Sequence, residues 1–138
     1  MSEQGAVAGL PVSTFAADAI VEVRPTATLY EVADALAAGE VGALAVREDY
    51  QVLGIVSERD LVSAMARRLP LDTTTAADVA TKELIWADAS ASVTEVANEM
   101  LEHYVRHVLI EEDGRLVGMV SARDLLGAYS TDVDLELD

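Results

Sequence analysis

At 138 residues the chain has the length of one domain, able to bury roughly two-thirds of the surface its unfolded form exposes. Its net charge of −16, from 25 acidic against 9 basic residues, argues against nucleic acid or an anionic membrane surface as a partner. There is no cysteine for a disulfide, a thiolate nucleophile or a thiolate metal site, and no apolar run nears the ~20 residues of a membrane span. Met1-Ser-Glu-Gln lacks the positive start of a signal peptide, so a soluble cytoplasmic protein is expected. Lys82 is the one lysine, and two explanations stay open for that bias and for the acidity: a salty cell interior or a GC-rich genome.

Residues 1–9 are small and polar with no period, and 1–11 are expected to form a flexible tail. Val12 to Ala17 reads as a short turn leading to a brief strand, Ile20–Val23. Thr28-x-x-Glu31 has capping-box spacing ahead of a helix through Leu29, Val32, Ala33, Leu36 and Ala37, with Gly39 as its stop. Val41–Val46 reads as a buried strand, Glu48–Gln51 as a turn and Val52–Val56 as the returning arm of a hairpin. Ser57-x-x-Asp60 opens a second helix that ends before Pro70. After a linker at Leu71–Thr74 the order begins again: a turn at Thr75–Val79, a strand at Leu84–Ala87, and a helix capped by Ser92-x-x-Glu95. A strand at Val105–Ile110, a turn, a strand at Leu116–Val120 and a helix capped by Ser121-x-x-Asp124 complete it. Residues 131–138 are expected to be a second flexible tail.

The second half repeats the first at a constant offset of 64 residues. Ala27, Glu31, Val32, Ala33, Val41, Glu48, Asp49, Gly54, Val56, Ser57, Arg59, Asp60, Leu61 and Ala64 all recur identically at that distance. A period held over some forty residues implies two copies of one supersecondary unit. The predicted fold is α/β (α+β), with two pseudo-symmetric repeats at 12–70 and 75–130. Each is strand, helix, strand, strand, helix, and the two pack sheet to sheet as one module.

Ser57 and Ser121 stand where a strand becomes a helix, where free amides and the helix dipole suit a phosphate. One turn on, Asp60 and Asp124 offer acceptors for two ribose hydroxyls, and Gly54 and Gly118 permit close backbone approach. A plain capping box explains the same Ser-x-x-Asp spacing, and the two roles are compatible. Arg59 and Arg123 suit either ligand phosphates or a surface carboxylate. His103 and His107 are four apart, but a helix is expected to end between them, which favours a capping or solvated role over metal. Trp86, in a short strand, is expected in the core rather than at a ligand pocket. Neither Ser57 nor Ser121 has a histidine base close by in sequence, so no catalytic residue and no metal ligand is assigned.

Gly-hydrophobic-x-Ser-x-x-Asp at the last strand–helix junction of both copies resembles the cystathionine-β-synthase (CBS) domain, and two in tandem look like a stand-alone CBS pair, or Bateman module. The resemblance covers roughly Val12 to Tyr129. It implies two clefts between the repeats that take adenosine-containing ligands, with the Ser on phosphate and the Asp on ribose. It also implies a phosphate-binding Arg before a buried strand. Arg106 fills that place in the second copy, but Gly42 stands there in the first. Where the family often has a Pro two residues later, this chain has Leu44 and Val108.

The expected function is therefore a non-enzymatic ligand sensor, with Ser57, Arg59, Asp60, Arg106, Ser121, Arg123 and Asp124 as ligand-binding residues. AMP, ADP, ATP or another adenosine-containing molecule is the expected ligand. The expected partners are a client protein and a second copy, joined through outward apolar residues such as Leu36, Met100 and Leu101. The alternative is a structural or interaction protein with unoccupied clefts.

Overall fold

The computed structural model describes residues 7–16 and 20–127, which fall into two compact units. One unit spans Ile20–Leu84; the other joins the N-terminal segment through Ala19 to everything from Ile85 onward. In the first unit β1 (Glu22–Val23) runs parallel to β2 (Ala43–Glu48), and β2 pairs antiparallel with β3 (Gln51–Ser57). Helix α1 (Leu29–Gly39) links β1 to β2, α2 (Glu58–Ala66) follows β3, and a short α3 (Ala76–Val79) lies further on. The second unit has β4 (Trp86–Asp88), α4 (Val93–His103), β5 (His107–Glu112), β6 (Arg115–Ser121) and a helix α5 over 122–127, with strand order β4-β5-β6. Even the β-bulge repeats, after Val46 in one sheet and after Ile110 in the other.

Each unit buries its own core. Leu29, Val32, Leu36, Leu44, Val46, Val56, Ala64 and Ala76 fill the first. Val93, Val96, Met100, Val108, Ile110, Val120 and Leu125 fill the second, together with Val12, which is fully buried there. Both cores thus receive a segment from the other copy's sequence. The 3-10 turn Val12–Phe15 is held to the second unit by the Val12 amide on the Ala91 carbonyl (2.7 Å) and the Val93 amide on the Leu10 carbonyl (3.1 Å). Sixty-four residues on, Ala76 donates to Ala27 (2.8 Å) and Leu29 to Thr74 (3.0 Å) in the first unit.

Several expectations change. Thr75–Val79 is more than a turn: Thr75 makes a full capping box with Asp78 and starts α3. Strands β2 and β5 begin two residues later than the apolar runs suggest, because Val41 and Val105 complete helix ends by donating to Leu36 and Met100 carbonyls. Gly39 is the last helical residue, and Glu40 takes the left-handed cap at φ 53°. The glycine is required instead by Val21, whose Cγ2 would lie 2.5 Å from an added Cβ. Leu36 and Met100 are only 5% and 6% exposed, so they face their own cores and cannot join two copies; Leu101, at 75%, is outward as expected. Trp86 lies on the outer strand of its sheet, is 38% exposed, and does not belong to the core. Tyr129 and residues 131–138 lie outside the described residues, as do 1–6.

Candidate functional site

The two strand–helix junctions are built alike from backbone outward. At the first, the Ser57 Oγ accepts from the Asp60 amide (3.3 Å), while the Asp60 carboxylate accepts from the Ser57 amide (2.8 Å) and from the Ser57 hydroxyl (3.0 Å). The carbonyl of Gly42 takes the next amide, that of Glu58, at 2.9 Å. At the second, Ser121 and Asp124 exchange the same two amide bonds at 2.9 and 3.0 Å, and the Arg106 carbonyl accepts from Ala122 at 2.8 Å. Capping is therefore the role both Ser–Asp pairs perform without ligand. It also satisfies two of the helix-terminal amides that the sequence leaves open to a phosphate.

The ladder register brings further residues to each junction. Ser57 stands opposite Ala43, and Ser121 opposite His107. His107 is thus placed beside the candidate serine. Sequence spacing alone missed it, although the hairpin arithmetic that pairs Ser121 with the start of β5 contains the signal. The electrostatics of the two junctions differ in sign. The first has Glu58, whose carboxylate would lie 3.6 Å from a Cβ on Gly42, together with Arg59 and Asp60. The second has Arg106, His107, Arg123 and Asp124, with the small Ala122 where Glu58 stands.

Arg59 and Arg123 were equally expected to pair with surface carboxylates; among the described residues neither does, and neither does Arg106. The ion pair there is Arg47 with Glu22 at 2.9 Å, and the His103 imidazole lies 3.2 Å from the Glu99 carboxylate. All three junction arginines are exposed. Gly54 does permit a close backbone approach, and the approaching backbone is the chain's own, with the Thr81 carbonyl oxygen 2.8 Å from where a Cβ would stand. The space beside it is filled because Ile55 and Thr81 exchange backbone bonds (3.0 and 2.9 Å) where the segment after α3 forms an antiparallel bridge with β3. His103 ends α4 and His107 opens β5, so the helix does end between them. No described helix is long and apolar enough to cross a membrane.

Comparison with known proteins agrees with this architecture. The CBS domain family matches residues 1–67 and again 76–131. Hypoxic response protein 1 of Mycobacterium tuberculosis is 35% identical over 100 residues, spanning 71% of this chain and 70% of that protein. The Pyrobaculum aerophilum CBS domain protein PAE2072, solved in complex with AMP, is 32% identical with a TM-score of 0.76, covering 88% of this chain and 99% of that one. The structure of Hypoxic Response Protein I with two coordinated zinc ions is 30% identical with a TM-score of 0.68, covering 85% and 97% respectively. Two matched copies, the repeated junction and the shared fold lead to one assignment: the chain belongs to the CBS domain family, as a tandem CBS pair.

Proposed function

We propose that this CBS pair is a regulatory sensor of an adenosine-containing ligand such as AMP, ADP or ATP, without catalytic activity of its own. The observation that carries the reading is the second junction. There Arg106 and Arg123 stand exposed without a carboxylate partner among the described residues, next to the Ser121–Asp124 pair at a helix N-terminus. A phosphate would meet two guanidinium groups and the helix dipole, each favouring the anion. The aspartate would exchange its capping amide for ribose hydroxyls. The likeness to the AMP-bound Pyrobaculum aerophilum protein supports the ligand class. At the first junction Ser57, Arg59 and Asp60 repeat the pattern, but Glu58 opposes a charged ligand, so the second junction binds more tightly. Ligand changes the relative stability of the module's packings, and a client protein reads the favoured one. We further read the chain as a homodimer, with the exposed Val62, Met65, Leu101 and Leu126 as its apolar contacts. Light scattering that finds a monomer at micromolar concentration would overturn that part.

Thermal shift with AMP, ADP, ATP, S-adenosylmethionine, NAD and cyclic dinucleotides tests the function. A rise with at least one adenosine-containing ligand is expected. No rise with any of them would favour an interaction protein with unoccupied clefts. A second reading, that the chain takes a divalent metal ion, is favoured by the zinc-bound relative and departs from the metal-free expectation of the sequence. Metal analysis of the purified protein after zinc loading and dialysis tests it.

A further inference from the structure

Near the end of α4 three side chains converge that the nucleotide site does not use. Glu99, Glu102 and His103 each offer a ligand atom, and the three atoms lie within 4.8 Å of one another. Their spacing of three and four residues puts them on one helix face. The His103 Nε2 is 3.2 Å from the Glu99 Oε2. Two ligands bonded at about 2.0–2.2 Å to one tetrahedral ion stand about 3.3–3.6 Å apart, so this pair needs almost no movement to share a metal. The last helical turn adds the negative end of the helix dipole, which favours a cation.

The trio is not dictated by the repeated framework. Its counterparts in α1 are Ala35, Ala38 and Gly39, on a helix of the same length with the same left-handed cap. We propose that Glu99, Glu102 and His103 bind one divalent transition-metal ion of the zinc class through one imidazole nitrogen and two carboxylates, leaving the remaining position to water. The proposal rests on the reading that the chain takes a metal, and assigns that metal a place. Zinc suits such a mixed nitrogen and oxygen set, whereas magnesium and calcium prefer oxygen alone.

The test is calorimetric titration of zinc chloride into the full chain, with excess magnesium present to occupy the many surface carboxylates. The variants are His103→Ala, Glu99→Gln and, as a control on another helix, Asp34→Asn. Wild type and Asp34→Asn should bind zinc with equal affinity, while His103→Ala and Glu99→Gln should each weaken it by about tenfold or more. Zinc bound equally by wild type and both site variants would overturn the assigned place but leave the metal reading standing. No zinc bound by wild type would overturn both. The three side chains are half-buried or exposed, so circular dichroism of the variants should match wild type.

Discussion

An added methyl group at Gly54 would lie 2.8 Å from both the Ala80 Cβ and the Thr81 carbonyl oxygen, the latter a backbone atom that cannot swing aside. Gly54→Ala should therefore destabilise the chain by about 1–3 kcal/mol through overpacking, measured by urea denaturation. Gly42→Ala, where the nearest neighbour of the new methyl group is the flexible Glu58 carboxylate at 3.6 Å, should change stability little by comparison. The repeat showed that position 54 needs a glycine, but not what approaches it. That contact joins residues about a quarter of a hundred apart, and such pairings are set by tertiary packing rather than local pattern. The Ser–Asp junctions were legible for the opposite reason, since a capping box is a bond between neighbours three residues apart. Ser57→Ala should cost about 1 kcal/mol in the same denaturation experiment.

Among the elements, the N-terminal turn has the most consequence for its size. Val12 is fully buried in the core of the second unit and sits on a segment attached to that unit's sheet by backbone bonds. Val12→Ala should cost about 2 kcal/mol, from two lost methyl groups and the space they leave. Hydrogen exchange should show the loss first at Val96, Val108 and Val120, which share that core, and not at Val32 or Val56. The sequence revealed the turn but not its destination, because a short apolar segment fits either copy equally well. Helix α3 was missed as a helix because four residues give too little periodicity, although Thr75-x-x-Asp78 has the spacing that signals it. Its cap has a pH signature. The Thr75 backbone and side-chain bonds hold the Asp78 carboxyl below 3.8. A carboxyl lowered on folding adds stability that is present above the unfolded value and is lost as pH falls through the folded one. The contribution of Asp78 is therefore complete near neutrality and disappears only in acid below 3.8. In Thr75→Ala, carboxyl NMR titration should find Asp78 moved back up.

For the whole molecule, 25 acidic against 9 basic residues leave a repulsion that added ions screen. The melting temperature should rise from dilute buffer to molar KCl, and a flat or falling curve would remove repulsion as a factor. The same excess of carboxylates gives the arginine-bearing junction its importance, since a phosphate has few other places to settle. Titration calorimetry of AMP into wild type, Asp60→Ala, Asp124→Ala and Arg106→Ala, each checked for folding, tests whether the arginine-bearing junction holds the ligand. Charge-assisted hydrogen bonds contribute about 1.5–3 kcal/mol, so Arg106→Ala and Asp124→Ala should weaken the tighter site by about tenfold or more, and Asp60→Ala should leave that site intact. Binding unchanged in all three variants, or absent from wild type, would contradict the account.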